Sequence, residues 1–451
     1  MPDAFAARVL GRDDPGYEDA RRAAVWNART PDRHPREIVL AESDDDVVAA
    51  VRRARSQGMK VAVRSGGHSW AGNHLRDDGM LIDVSRLRSV ELDAAARTAT
   101  VGPGCHGDEL LGALREHELF FPAGHCPGVG LGGYLLQGGF GWNGRVYGPA
   151  CQSVEAIDVV LADGSQVRAG EEEHEQLLWA ARGAGPGFFG VVTRFHLRLY
   201  ERPQVVVNSV YLYPIELIAE VFGWAREIGP RVAREMELMV FIHRTPDERL
   251  EIAVTGPVLA DNEQQARAAV AVLESCPVRE QATLALPYVP GELNDLYAGA
   301  GAAYPDGSRY ATDNMWTHAP VEDLLPGLQR IAETMPPAPS HMLWMNWRPG
   351  THPPPARADM AYSVEDDTYI AVYGVWNDPA YDDTGVAWAR ERMRELEPHA
   401  SGIQLADENL GERPARFVTD RSLARLDELR AHYDPDGLFY EWMARPVQSH
   451  D

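Results

Sequence analysis

Two nucleophilic side chains in this sequence each lie beside a run of glycines. His68 follows Ser65-Gly66-Gly67 in the segment RSGGHSWAG, and Cys126 precedes seven glycines in GHCPGVGLGGYLLQGGFG. Glycine adopts positive φ angles that aim backbone N–H groups at an anion such as pyrophosphate, and it lets a ligand approach the chain closely. The pattern is not the G-x-G-x-x-G of a strand-to-helix dinucleotide turn. Taken alone, the cysteine segment is compatible with a nucleotide loop, half of a metal site or a packing turn.

The pairs Cys105-His106 and His125-Cys126 contain the residue types of a zinc site. Adjacent residues on an extended chain point to opposite sides, so both members of such a pair rarely reach one tetrahedral ion. We therefore predict no metal site.

Composition limits the classes of function. The chain has 451 residues and a formal net charge of −24, which is enough length for two or three domains. An acidic surface repels nucleic acid and anionic membranes, and no apolar run of about 18 residues is present. Four scattered cysteines and an N-terminus without a secretory signal predict a cytoplasmic protein. We expect small-molecule partners, no nucleic acid and no membrane, and we predict no oligomeric state.

The elements that position these residues change in character near Arg202-Pro203. Before this point the pattern predicts many short strands, with Ser43 as the N-cap of a helix. Beyond it we predict helices over residues 214–228, 262–273, 321–333 and 386–396, and strands over residues 205–213, 236–243, 252–258, 342–348 and 368–376. The segment RPGTHPPPARAD, residues 348–359, is predicted to be a surface loop. The chain is therefore expected to be α+β, with a second part built as a sheet under helices.

A third glycine turn precedes a strand in GAGPGFFGVVTRF, residues 183–195. Together the three segments resemble the berberine-bridge-enzyme-like FAD-linked oxidases, whose flavin domain is shared with vanillyl-alcohol oxidase and p-cresol methylhydroxylase. The resemblance extends over nearly the whole chain, from WNARTPDRHP at 26–35 to YDPDGLF at 433–439. It implies a two-domain fold of the p-cresol methylhydroxylase (PCMH) type, with a substrate domain of an antiparallel sheet covered by helices. The implied domains are 1–200 for FAD, 201–410 for substrate, and 411–451 returning to the FAD domain.

The resemblance also implies the cofactor site. His68 matches the histidine bonded to the flavin 8α-methyl group, and Cys126 matches the cysteine bonded to flavin C6, so FAD is expected to be attached twice. Tyr134 is placed near the N1/C2=O edge of the flavin, as a catalytic candidate as well as a cofactor contact. Val129 matches a position where a small side chain is typical of oxidases, which favours O2 as the electron acceptor. The remaining implied cofactor contacts are Arg64, Ser65, Gly66, Gly67, Ser69, Gly132, Gly133, Gly138, Gly139, Gly190 and Val191.

The sequence departs from the family where a substrate proton would be taken. Trp70 and Phe140 stand where many relatives have tyrosine, and Ile370 and Val372 are expected to face the flavin in place of a polar pair. Oxidation of an alcohol needs a base, and we choose Asp407 first. Further polar candidates are Gln404, Asn409, Asn346, Tyr310, Tyr362 and His318.

An apolar wall would favour amine or phenolic substrates over sugars. Alternative functions are a dehydrogenase with another electron acceptor and a flavin-loaded binding protein without turnover. Trp344 and Trp347 cannot both face one side of a strand, so at most one is expected to contact substrate.

Overall fold

The computed structural model describes residues 5, 8–347 and 359–445. The predicted proline-rich loop at 348–359 therefore lies, except for its last residue, outside the described residues. The described chain is α+β, as predicted.

The chain begins with a small sheet of mixed direction. Strands β2, β4 and β3 run parallel, and β1 is added antiparallel at the edge of β2. Ser43 caps the helix between β2 and β3, as predicted, because its side chain accepts a hydrogen bond from the Asp46 N–H. The elements are β1 Val9–Gly11, α1 Tyr17–Ala23, β2 Glu37–Leu40, α2 Asp44–Ser56, β3 Val61–Arg64 and β4 Met80–Asp83.

A second sheet of five antiparallel strands completes the first part of the chain. Its elements, with the helices and the short strand pair around it, are β5 Val90–Asp93, β6 Thr98–Val101, α3 Gly107–Arg115, β7 Leu119–Phe120, α4 Leu131–Leu136, α5 Gly144–Tyr147, β8 Val154–Val160, β9 Gln166–Ala169, α6 Glu175–Ala181, β10 Val191–Arg198 and β11 Tyr200–Glu201. The strand order is β5-β6-β10-β8-β9, and β7 pairs with β11. The glycine-rich segment after Cys126 contributes α4 and the loop in front of it.

The second part of the chain is dominated by one eight-stranded antiparallel sheet. Its elements are β12 Val205–Pro214, α7 Ile218–Ile228, β13 Met239–Arg244, β14 Leu250–Thr255, β15 Val258–Ala260, α8 Glu263–Val270, β16 Leu284–Gly291, α9 Leu293–Ala303, β17 Arg309–Thr317, α10 Val321–Thr334, β18 His341–Asn346, β19 Thr368–Trp376 and α11 Asp382–Leu396. The strand order is β15-β12-β14-β13-β18-β19-β17, and β16 also pairs with β12. Side chains alternate between the two faces of each strand.

The two faces of this sheet have different partners. Val240, Trp344, Ile370 and Val372 lie in a core with side chains of α7, α8, α10 and α11. The opposite face carries Tyr369 and, among others, Leu343, Met345, Ala371 and Tyr373, which cluster with Trp70 and Phe140 from the first part of the chain. The uncovered face of the sheet is therefore turned towards the glycine segments.

The C-terminal segment packs with the first part of the chain. Helix α12, Asp420–Tyr433, contributes Leu426 and Leu429 to the core of the first two sheets. After it, the backbone of Val61 in β3 bonds to Leu438 and Tyr440. This segment thus closes the edge of the small sheet.

Candidate active site

A cavity of about 590 Å³ lies between the glycine segments and the open face of the large sheet. This volume is within the range of protein sites that enclose small molecules and cofactors. Its floor is formed by residues 63–70, 124–133 and 185–192, and we call the opposite wall the roof. The roof consists of Met239, Phe241, Tyr304, Leu343, Met345, Tyr369, Tyr373, Gln404 and Asp407.

The two predicted glycine segments contact each other in the floor. A Cβ atom on Gly66 would lie 2.4 Å from the backbone N of Gly130, and one on Gly130 would lie 2.5 Å from the N of Gly66. Gly67 has φ +74° and would place a Cβ 2.3 Å from the carbonyl of Ala24. Only glycine fits at such contacts. A Cβ on Gly133 would meet no protein atom within 4 Å, so this glycine leaves its backbone open to the cavity.

His68 is held in the floor by an aromatic stack. Its imidazole lies on the indole of Trp26 with ring centres 4.8 Å apart, and Trp26 in turn stacks on Tyr310 at 4.9 Å. Burial lowers the pKa of His68 to about 4, so the ring is neutral at neutral pH and one nitrogen keeps a lone pair. A Cβ on Gly128 would lie 3.4 Å from Nε2 of His68, which places this nitrogen beside the loop that carries Cys126.

Cys126 lies on that loop and lines the same cavity. The loop is fixed on one side by Asp108, whose carboxylate accepts a hydrogen bond of 3.0 Å from the Gly128 N–H. Burial, with a smaller contribution from the negative charge of Asp407, raises the pKa of Cys126 to about 12. At neutral pH the sulfur is therefore a thiol, and it must lose its proton to act as a nucleophile.

The expectation that Ile370 and Val372 face the flavin is wrong by one residue in register. On β19 these two side chains lie in the core under the helices, while Tyr369 and Tyr373 line the cavity. The pairing of Tyr369 with Met345, and of Tyr373 with His341, fixes this register. The roof is therefore not an apolar wall, because two tyrosine hydroxyls project into it.

Asp407 is the centre of a hydrogen-bonded group at the roof. Its Oδ1 accepts a hydrogen bond of 2.6 Å from the indole N–H of Trp70. Its Oδ2 accepts one of 2.9 Å from the Tyr373 hydroxyl and another from the Tyr369 hydroxyl. Burial and the negative charge of Asp407 raise the pKa of both tyrosines well above the usual value, so both hydroxyls keep their protons.

Tyr304 and His341 form a second polar pair beside this group. The Tyr304 hydroxyl and Nε2 of His341 are 3.1 Å apart, and Nδ1 of His341 is 3.0 Å from the carbonyl oxygen of Pro339. The His341 ring stacks on Tyr373 with centres 4.8 Å apart. Neither Tyr304 nor His341 was among the sequence candidates, and nor were the two β19 tyrosines. The Y-I-A-V-Y spacing, which places both tyrosines on one face of a strand, was the available signal.

Gln404 and Tyr134, the other two catalytic candidates, differ in what their polar atoms do. Gln404 is buried at the roof, its Oε1 accepts a hydrogen bond from the Ala406 N–H, and its Nε2 has no hydrogen-bond partner. Tyr134 lines the cavity, but its hydroxyl donates to the carbonyl of Pro122 at 2.6 Å. The one hydroxyl proton of Tyr134 is thus bound to backbone, and its placement near the N1/C2=O edge stays a prediction.

Most of the predicted cofactor contacts line the cavity, and three do not. The lining includes Arg64, Ser65, Gly66, Gly67, Ser69, Val129, Gly132, Gly133 and Gly190. Gly138 and Gly139 are instead required for packing, because a Cβ there would lie 2.6 Å from Tyr362 and 2.7 Å from Ala150, respectively. Val192 replaces Val191 in the lining, because neighbouring strand residues face opposite sides.

Three of the remaining polar candidates have structural partners outside the cavity wall. Asn409 binds Asp313, Asn346 binds the carbonyl of Ala225, and His318 pairs with Asp366. Trp344 packs under the helices, whereas Trp347 packs against Phe140. Neither tryptophan lines the cavity.

Two features of the described residues concern metal binding and membrane insertion. Within the ranges that the structure covers, no group of three or more His, Cys, Asp or Glu side chains is arranged to hold a metal ion. None of the described helices is both long enough and apolar enough to cross a bilayer.

Comparisons with known proteins agree with a cofactor site of this kind. A family model described as an FAD binding domain matches residues 35–170. The FAD-linked oxidoreductase janO of Penicillium janthinellum is 31% identical over 436 residues, covering 95% of this chain and 96% of its own. The open backbone at Gly133 and the neutral His68 ring, in a cavity of this volume, fit the flavin and phosphate groups of FAD.

Solved structures show the same fold. The 6-hydroxy-D-nicotine oxidase of Arthrobacter nicotinovorans superimposes with a TM-score of 0.83 at 22% identity, covering 96% of both chains. The grass pollen allergen Phl p 4, described as a glucose dehydrogenase, has a TM-score of 0.79 at 18% identity, covering 98% of this chain and 97% of its own. Its isoleucine-to-valine variant, described as a glucose oxidase, gives the same values. The chain therefore belongs to the FAD-linked oxidoreductases, in the flavoprotein family of vanillyl-alcohol oxidase and p-cresol methylhydroxylase.

Proposed function

We propose that this protein is an oxidase that transfers hydride from a small amine, phenolic or alcohol substrate to FAD bonded to both His68 and Cys126, with O2 as the final acceptor and H2O2 as the product. One observation carries the proposal. A neutral imidazole and a thiol lie in the floor of a single cavity whose roof contains Asp407 and its two tyrosines. FAD, when bound, supplies the hydride acceptor.

The chain's own residues account for attachment of the cofactor. Nε2 of His68 faces the loop of Cys126 across the position of Gly128, so both nucleophiles reach the same part of the cavity. His68 is neutral and has a lone pair to offer, and its stack on Trp26 holds the ring in one orientation. Two bonds would fix the cofactor in a wide cavity without further contacts to its ring.

Asp407 and the two tyrosines account for the substrate proton. When hydride leaves a carbon that bears O–H or N–H, the heteroatom must give up its proton. The hydroxyl oxygen of Tyr369 or Tyr373 can take it while its own proton moves to Oδ2 of Asp407 along the existing hydrogen bond. The unpartnered Nε2 of Gln404 is a donor at the same wall.

The choice of O2 rests on Val129. This side chain lines the cavity three residues after Cys126. In Phl p 4, one isoleucine-to-valine change separates a glucose dehydrogenase from a glucose oxidase, so a valine in this fold can accompany reaction with O2. The substrates after which the neighbours are named, a hydroxylated nicotine and glucose, differ from each other, and the fold alone does not identify a substrate.

Attachment is tested by acid precipitation and intact-mass measurement. We expect wild-type protein to keep its yellow colour and the mass of one FAD, and His68→Ala and Cys126→Ala each to keep one bond. The double variant should release FAD on precipitation. Cys276→Ala, which changes a sulfur in the core of the second part, is the control and should behave as wild type. Release of FAD from wild-type protein by acid would refute the double attachment.

Turnover is tested by anaerobic bleaching of the bound flavin with a panel of amines, phenols, alcohols and sugars, followed by admission of air. Bleaching by a panel member, with rapid recovery and formation of H2O2, is the expected result. Bleaching that recovers only with an artificial acceptor would instead identify a dehydrogenase. A flavin that no panel member bleaches would favour a binding protein without turnover.

A further inference from the structure

The hydroxyl hydrogens of the two roof tyrosines on β19 are already donated within the protein. Tyr369 and Tyr373 both donate to Oδ2 of Asp407, and Trp70 reaches up from the floor to donate to Oδ1. A hydroxyl has one hydrogen and two lone pairs, and an indole has one hydrogen only. Each tyrosine oxygen therefore has lone pairs left for a ligand but no hydrogen to give.

The hydrogens of Tyr304 and His341, the second polar pair, are also used within the protein. A backbone carbonyl only accepts, so Nδ1 of His341, 3.0 Å from the Pro339 oxygen, carries the ring hydrogen. Nε2 is then an acceptor, and the Tyr304 hydroxyl 3.1 Å away must donate to it. Tyr304 is thus also left with lone pairs only.

The charges of the roof are also unfavourable for an anionic ligand. Asp407 is the only acidic side chain of the roof, and the nine residues that form the roof include no lysine or arginine. The two arginines of the cavity lining, Arg64 and Arg76, lie outside the roof. Arg64 is paired with Asp83, and Arg76 donates to the backbone. An anion brought against the roof would meet a carboxylate and lone pairs without a compensating cation. Nε2 of Gln404 is the one roof donor without a partner.

We propose that the roof selects substrates that donate O–H or N–H to the oxygens of Tyr369 and Tyr373, and that it excludes substrates bearing a carboxylate or phosphate at that end. This selection rests on the proposed function, because it assigns a substrate class to the same site. The rings of Trp70, Tyr304 and Phe241 around this group are suited to a flat or apolar substrate body.

Ligands of matched shape test the proposal through the absorbance of the oxidised flavin. Phenol donates one hydrogen bond, anisole keeps the ring and oxygen without the hydrogen, aniline donates N–H, and benzoate carries the negative charge. We expect phenol or aniline to bind about tenfold more tightly than anisole, the factor of one lost hydrogen bond, and benzoate not to perturb the spectrum. The phenol and aniline arms separate O–H from N–H donors.

Variants assign the effect to the named groups. Tyr373→Phe should weaken phenol binding by about tenfold and leave anisole unchanged. Asp407→Asn removes the charge and supplies an amide donor, so it should allow benzoate to bind. Tyr297→Phe is the control, because its hydroxyl is bound to the Gly124 carbonyl and it should leave all four ligands unchanged.

Several results would overturn the selection. These are equal affinities for phenol, aniline and anisole, benzoate binding to the wild type, or no binding of either donor at millimolar concentration. The measurement uses oxidised enzyme without turnover. The ligand-binding result can therefore be interpreted even if the oxidase or double-attachment proposal fails. Failure of the ligand selection would likewise leave those two proposals standing.

Discussion

The buried carboxylate of Glu237 binds both the imidazole of His125 and the backbone N–H of Asn143, each at 2.9 Å. His125 precedes Cys126 in the cavity floor, and Asn143 follows the same glycine-rich segment. Glu237 comes from the second part of the chain, two residues before β13 begins at Met239. This carboxylate therefore links the cysteine loop to the sheet that forms the roof.

Removing this link should loosen the cavity without altering its chemistry. Glu237→Ala leaves a buried N–H and an imidazole without their acceptor, which costs about 1–3 kcal/mol. We expect a lower midpoint of thermal unfolding and a smaller fraction of protein carrying flavin. Glu227→Gln, at an exposed glutamate, is the control and should match wild type. An unchanged midpoint and flavin content in Glu237→Ala would contradict the role of this contact.

The contact between the two glycine loops should be as sensitive to substitution as the contact made by Glu237. Gly66→Ala would place a Cβ 2.4 Å from a backbone nitrogen of Gly130, so one loop must move away from the other. We expect reduced flavin content in the purified protein, measured from the ratio of visible to ultraviolet absorbance. Gly112→Ala is the matched control, because a Cβ at this position of α3 meets nothing within 4 Å. It should bind flavin normally and gain about 0.5–1 kcal/mol of stability from the better helix former. Normal flavin content in Gly66→Ala would show that the loops can separate.

The sequence predicted correctly those elements that depend mainly on residues close together in the chain. The N-cap at Ser43 and the strands of the large sheet that contact the roof follow from capping and alternation of side chains. Helix α4 was not predicted, because its sequence LGGYLL contains two glycines that disfavour an isolated helix. Strand β16, with prolines at positions 287 and 290, was missed for a similar reason.

The polar centre of the roof could be predicted only in part. Asp407 was chosen from its position in the chain, but its partners Trp70 and Tyr373 come from segments 337 and 34 residues away. The assignment of Ile370 rather than Tyr369 to the cavity failed because successive residues of a strand face opposite sides, so an error of one residue exchanges the two sets. Cross-strand pairing with β18, which fixes the register, is not encoded in the β19 sequence alone.

The size of Val129 should control the reaction with O2. Val129→Leu adds a methylene group to the cavity floor beside the Cys126 loop, and we expect it to slow reoxidation by O2 about tenfold, or about 1.4 kcal/mol in the barrier. Reduction by substrate should change much less, because the roof is untouched. Stopped-flow absorbance of the two half-reactions measures both rates, and Val129→Ala should reoxidise at least as fast as wild type. Equal reoxidation rates in the leucine variant and the wild type would remove the basis for assigning O2 as acceptor.

Burial of His341 should make the stability of the protein depend on pH. Burial lowers its pKa from 6.5 to about 4, so the unfolded chain binds a proton between these values when the folded chain does not. The stabilisation is complete above about pH 6.5 and is lost as the pH falls towards 4, by up to about 3 kcal/mol for this residue. His341→Gln keeps an acceptor for Tyr304 but no titrating ring, so its unfolding midpoint should fall less than that of wild type on acidification. His68 and His74, whose pKa values burial also lowers, remain in the variant and should preserve part of the dependence. His117→Gln, at an exposed position of the chain, should reproduce the wild-type curve. Midpoints that instead fall in parallel for His341→Gln and wild type between about pH 7 and pH 4 would contradict this prediction. They would show that protonation of His341 does not contribute to the loss of stability in acid.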